Sequence, residues 1–144
     1  MNMQNFETLK AALLNGIHTD ALDVLFDMEH FWSKSDNSCG SVACIAGHAS
    51  ILMGKKDPPE SSRDHVVAFA EYLEIPYVDA KNIAYAYYII DYNDGDYFNG
   101  CIKNMAAITA ADAIKVLEIY RDTGKVEWIK ATEGNPDIQL DEEY

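Results

Sequence analysis

At 144 residues, 49% of them hydrophobic, the chain is long enough for one domain that closes its own core without disulfide or metal staples. Its 24 Asp and Glu against 11 Lys and Arg give a formal net charge of −13. That charge repels phosphate backbones and anionic headgroups, so direct nucleic-acid and membrane binding are excluded as the expected modes of action.

The first predicted element is a helix with Phe6, Leu9 and Leu13 on one stripe and Gly16 placed to end it. Thr19 or Asp20 can cap a second helix in which Ala21, Val24, Leu25 and Met28 recur at helical spacing. A polar loop over Ser33–Ser38 follows. Ser41 is placed to cap a third helix running to Met53, with Gly54 as its stop. No residue of that segment is charged, so it is expected to be the buried central helix.

Asp57-Pro58-Pro59 marks another loop. Ser61 or Ser62 can cap a fourth helix presenting Val66, Phe69, Ala70 and Leu73. Asp79 can cap a fifth, with Ala80, Ile83, Ala84 and Tyr87 facing inward. Asp91-Tyr92-Asn93-Asp94-Gly95-Asp96-Tyr97 is a turn-rich loop. Thr109 and Asp112 have capping-box spacing before a helix that buries Ala113, Val116, Leu117 and Tyr120 and stops at Gly124. Lys125–Ile129 is a candidate extended piece, and no alternating strand stands out. The expected fold class is mainly α. It comprises a single compact domain over residues 1–130, with five or six helices around the buried central one, and a flexible acidic tail over 131–144.

No basic stretch followed by an apolar run opens the chain, and the longest nearly apolar run, Ile83–Ile90, is far short of the ~20 residues of a membrane helix. The expected location is therefore the cytoplasm. Cys39, Cys44 and Cys101 are an odd set without scaffold spacing, which fits free thiols in a reducing compartment.

Cys39, Cys44 and His48 are the one local cluster of chemically versatile side chains. With His30 as a fourth ligand they would suit tetrahedral zinc, and Cys44 with His48 or His65 as base would suit a thiol nucleophile. Against these stand the wide cysteine spacing, the lack of a second paired motif, and the lack of any substrate-binding signature. No metal, cofactor or catalytic residue is assigned. Gly95 and the aspartates around it are out of register with a calcium-binding loop, which needs glycine at its sixth position and glutamate at its twelfth.

Four blocks carry a family likeness: Phe26-Asp27-Met28 with Trp32 shortly after; Cys39-Gly40-Ser41-Val42-Ala43-Cys44-Ile45-Ala46-Gly47; Ile108-Thr109-Ala110-Ala111-Asp112-Ala113; and Asp122-Thr123-Gly124-Lys125-Val126-Glu127-Trp128. Together they resemble a family of small uncharacterised proteins of bacteriophages and bacteria, over about residues 22–128. At the position of His48 the family pattern tends to an aromatic residue, often tryptophan, which argues against an essential histidine there. The resemblance implies a phage or mobile-DNA context and no mechanism.

The functional expectation joins that context to the charge. It is a non-enzymatic accessory protein of the host cytoplasm that binds a host or defence-system protein with a basic surface. An anti-CRISPR-like inhibitor competing with nucleic acid is its sharpest form. The residues expected to meet the partner are Asp91, Tyr92, Asp94, Asp96 and Tyr97, with Asp141, Glu142 and Glu143 of the tail. The alternative is a small zinc-binding or cysteine-dependent enzyme centred on Cys39, Cys44 and His48.

Overall fold

The computed structural model describes residues 1–18, 23–28, 32–33, 41–55, 61–86 and 102–140. The protein is mainly α. Its helices are α1 (Met3–Asn15), α2 (Ile45–Leu52), α3 (Ser62–Leu73), α4 (Tyr77–Ala84), α5 (Ala110–Thr123) and α6 (Trp128–Ala131). A small sheet sits beside them, with strands β1 (Ile17–His18), β2 (Asp23–Phe26), β3 (Trp32–Ser33) and β4 (Ser41–Ala43) in the order β1-β2-β4-β3.

α1 forms where Phe6, Leu9 and Leu13 recur on one face, and all three are buried. Asn2 caps it by accepting from the Asn5 N–H at 3.1 Å. The same end is tied to the end of α3, since Asn2 N donates to the Leu73 carbonyl at 2.8 Å and Asn5 Nδ2 to the Tyr72 carbonyl at 2.7 Å. Gly16 then reverses the chain with φ 79 and ψ 175, a region essentially reserved for glycine.

The two N-terminal segments read as helix differ from expectation. Val24, Leu25 and Phe26 are extended in β2, and Ser41–Ala43 is β4 rather than the first turn of the central helix. A short apolar run is ambiguous between helix and strand. Here long-range pairing decides: β2 and β4 lie parallel, with Val24 opposite Ser41, Leu25 opposite Val42 and Phe26 opposite Ala43. Along β2 the pleat puts Val24 fully inside and leaves Leu25 54% exposed.

The chain passes from β4 through an extended Cys44, the N-cap, into α2. The central-helix expectation holds for this shorter element, in which every residue from Ile45 to Ile51 is buried. α2 packs on α1, α3 and α4, and α5 packs on α1 and α6. One core runs through Phe6, Ile45, Phe69, Ile83, Leu117 and Trp128, all fully buried.

α3 starts at Ser61, whose hydroxyl accepts from the Asp64 N–H at 3.1 Å. α4 follows Pro76 directly, so the expected cap Asp79 lies inside its first turn. Asp79 is buried there and accepts the Tyr120 hydroxyl of α5 at 2.5 Å. α5 opens with the expected capping box: Asp112 N donates to Thr109 Oγ1 at 3.2 Å and Thr109 N to Asp112 Oδ2 at 3.1 Å. It ends at Gly124 in the left-handed region. Instead of an extended piece, Trp128 begins the short α6 and donates its indole N–H to the Asn82 carbonyl at 3.1 Å.

The chain beyond residue 131, expected to be a flexible tail, is part of the domain as far as Leu140. Asn135 Nδ2 donates to the Ala107 carbonyl at 2.9 Å and to Asp112 Oδ2 at 2.7 Å. Asn104 Nδ2 donates to the Asp137 carbonyl at 2.7 Å, while its Oδ1 accepts from Gln139 N at 2.8 Å. Ile138 packs on the core.

Two glycines with positive φ separate conformational strain from steric contact. A Cβ on Gly16 would lie 2.8 Å from the Val24 carbonyl oxygen and 2.9 Å from His18 Nε2, whereas one on Gly124 would meet nothing within 4 Å. Gly124→Ala is expected to cost roughly 1 kcal/mol, the penalty of a left-handed alanine. Gly16→Ala is expected to cost about 3 kcal/mol, since strain and a backbone clash act together. Urea unfolding of both variants checks the difference.

Candidate functional site

Cys44 stands where β4 becomes α2 and is 2% exposed. Its carbonyl accepts both the His48 backbone N–H and the His48 Nδ1, each at 2.9 Å. A carbonyl only accepts, so the second contact puts a hydrogen on Nδ1. The His48 ring is fully buried, tilted at 44° to the Phe26 ring with centroids 6.3 Å apart.

A thiol at a helix start is expected to ionise easily, and here it does not. Burial pushes the Cys44 thiol up to about 11, with the nearby Asp27 carboxylate acting in the same direction, against the lowering effect of the backbone N–H groups of Gly47 and Ala46. Desolvation outweighs the helix terminus at Cys44, which counts against the thiol-nucleophile alternative. His65 on α3 is 5% exposed, and burial lowers its pKa, opposed by Asp64 and aided by Lys55. Cys39 and His30, the other members of the zinc reading, lie outside the described residues. Among the described residues no group of three or more His, Cys, Asp or Glu side chains could hold a metal ion.

The residues expected to meet a partner, Asp91, Tyr92, Asp94, Asp96, Tyr97, Asp141, Glu142 and Glu143, also lie outside the described residues. Their flanks are described, and they meet. Ile102 N donates to the Ala86 carbonyl at 3.1 Å, joining the two ends of the segment 87–101. Lys103 N donates to the Gln139 carbonyl at 2.8 Å, and Ile102 forms an antiparallel bridge with Leu140, after which residues 141–144 follow. Ala86, Ile102 and Leu140 thus form one junction, braced from below by the asparagine clasps of Asn104 and Asn135. No Lys or Arg occurs in 87–101 or in 141–144.

Sequence reasoning passed over the residues that build this junction. Asn104 and Asn135 look like ordinary turn residues, and their long-range partners leave no local signal. Asn82 had one: it is an amide on the otherwise inward stripe that Asp79, Ile83 and Ala86 share at helical spacing.

These features define a class: a small, acidic, mainly α-helical domain with a buried thiol at the start of α2 and a junction of Ala86, Ile102 and Leu140. No helix among the described residues is long and apolar enough to cross a membrane. Compared with models of protein families, with functionally described proteins and with solved structures, the chain finds no match.

Two outcomes follow. An unfolded thiol titrates at 9.0 and the folded Cys44 at about 11, so the folded state holds its proton longer. Stability from that burial is complete below pH 9 and is lost as pH rises toward 11. Wild-type protein is expected to lose about 2–3 kcal/mol more than Cys44→Ala across that window. Chemical unfolding at stepped pH measures this, and equal slopes for the two proteins would refute it. Separately, Asn135→Ala removes the amide that holds Ala107 and Asp112. It is expected to cost about 2 kcal/mol and to raise hydrogen exchange at Gln139 N and Lys103 N. Unchanged protection at those amides would show that the clasp does not hold the junction.

Proposed function

We propose that the protein is a non-enzymatic accessory factor of a phage or mobile element that binds a host or defence-system protein through a carboxylate-rich pole. The single observation that carries this reading is the shared root at Ala86, Ile102 and Leu140. The stretch of sequence that carries Asp91, Asp94 and Asp96 is bounded by Ala86 and Ile102, and the one that carries Asp141, Glu142 and Glu143 follows Leu140, so residues next to both in sequence meet here. One partner surface is therefore within reach of both groups.

Carboxylates on a rooted pole offer a basic surface what phosphates offer it, at a net charge of −13 that accelerates encounter over long range. A partner that handles nucleic acid fits this chemistry best, because its Lys and Arg side chains are already arranged for repeated negative charge. Competition with DNA or RNA follows, as in an anti-CRISPR-like inhibitor, and the host cytoplasm is the compartment where it would occur. Tyr92 and Tyr97 supply apolar area and hydroxyls of the kind enriched in protein interfaces. The raised thiol pKa of Cys44 favours this reading over a cysteine enzyme.

The test is capture of partners from host lysate by wild-type protein, repeated across a salt series, followed by kinetics with the purified partner. Changing Asp91, Asp94 and Asp96 to Asn is expected to slow association about tenfold, and changing Asp141 to Asn with Glu142 and Glu143 to Gln to slow it further. The captured partner should release bound DNA or RNA as the protein is added. Binding indifferent to salt and to both sets of substitutions would overturn the electrostatic mechanism.

A further inference from the structure

Asn82 on α4 is 2% exposed, yet neither its Oδ1 nor its Nδ2 meets a hydrogen-bond partner among the described residues. Its backbone is committed, since the carbonyl takes the Trp128 indole N–H at 3.1 Å and so fixes this turn of α4 against α6. A carboxamide offers two donors and an acceptor, and burying all three dry is costly. Leucine has nearly the same shape and would fill the position without that cost.

The surroundings supply what the amide lacks. One helical turn back on the same inward stripe stands Asp79, whose Oδ2 accepts the Tyr120 hydroxyl at 2.5 Å. Residues three apart on a helix have Cβ atoms about 5–6 Å from each other, a separation that one bridging molecule of solvent spans. The Asn82 amide and the Asp79 carboxylate make no direct hydrogen bond.

We propose that Asn82 is the binding site of a single internal water molecule, gripped by the side-chain amide and linked through it to the Asp79–Tyr120 pair. Water fits the donor and the acceptor of the amide at once. A cation does not, because the neutral amide and one carboxylate already engaged by a hydroxyl are too few oxygen ligands. No set of metal-ligating side chains stands there among the described residues. The site ties α4, α5 and α6 together near the end of α4, four residues before Ala86 of the junction.

The test begins with the wild-type protein. Cross-relaxation between water and the Asn82 Nδ2 hydrogens is measured by NMR in the laboratory and rotating frames. Opposite signs in the two frames, the mark of a water that stays longer than the protein tumbles, are the expected result. Absence of a cross-peak, or equal signs from proton exchange with bulk solvent, overturns the proposal. The cross-peak should persist in Tyr120→Phe; its loss there would assign it to the hydroxyl proton and overturn the proposal too. In Asn82→Leu, oxygen-17 relaxation dispersion should count one long-lived water fewer than in wild type, and an equal count in the folded variant would refute the site. Should that variant fail to fold, the wild-type and Tyr120→Phe measurements still decide.

Discussion

A helix with no charged side chain cannot sit at a surface, and α2 imposes that constraint on everything around it. Each residue from Ile45 to Ile51 has to be covered, including His48 and Ser50, whose polar groups turn back onto the carbonyls of Cys44 and Ala46. α1 and α3 supply apolar faces against it, and α4 closes a further side. The strand β4 leads into its N-terminus, so the small sheet cannot shift without moving the helix. Burial of Ile45 alone contributes on the order of 1.5–3 kcal/mol.

How much of this was legible depends on whether the deciding interaction was local. α1, α3 and α5 were readable because each is a helix of 12–14 residues with a repeating apolar stripe, and their ends carry matching caps, at Gly16, Ser61 and Thr109 with Asp112. The helices drawn over Ala21–Met28 and from Ser41 were not, because a parallel pair between residues 24–26 and 41–43 outweighs short helical periodicity. Val24, Phe26 and Val42 are good strand formers, and that composition was the available hint. The packed stretch up to Leu140 was hidden for the same reason, since its partners, Asn104 and Ala107, lie some thirty residues upstream.

The candidate site divides along the same line. Acidic composition and base-free segments are visible in the sequence, whereas the meeting of Ala86, Ile102 and Leu140 depends on tertiary hydrogen bonds. The thiol shows the opposite error, a local rule applied where burial rules. A cysteine at a helix start suggests activation by the dipole, an effect of about 0.3–1 kcal/mol at exposed sites. Full burial costs the thiolate more than that, so Cys44 keeps its proton to about 11. The packing that α2 demands thus works against ionisation of the thiol at its N-cap.

The basic residues are unevenly distributed along the chain. All Lys and Arg residues except Lys34 and Lys56 lie within the described residues. Several are spent on the folded shell. Lys10 reaches Glu118 across α1 and α5 at 3.7 Å, and both Lys10 and Arg121 stand over the Phe6 ring, at 5.3 and 5.4 Å from its centroid. Such pairs compensate carboxylates where elements pack and where repulsion would open the fold. The segments 87–101 and 141–144 hold carboxylates and no base at all. The described residues that border those segments are held by backbone hydrogen bonds and by the amides of Asn104 and Asn135, which carry no charge to be screened or repelled. Neutral amides at the junction therefore add cohesion among the described residues without adding to the net negative charge.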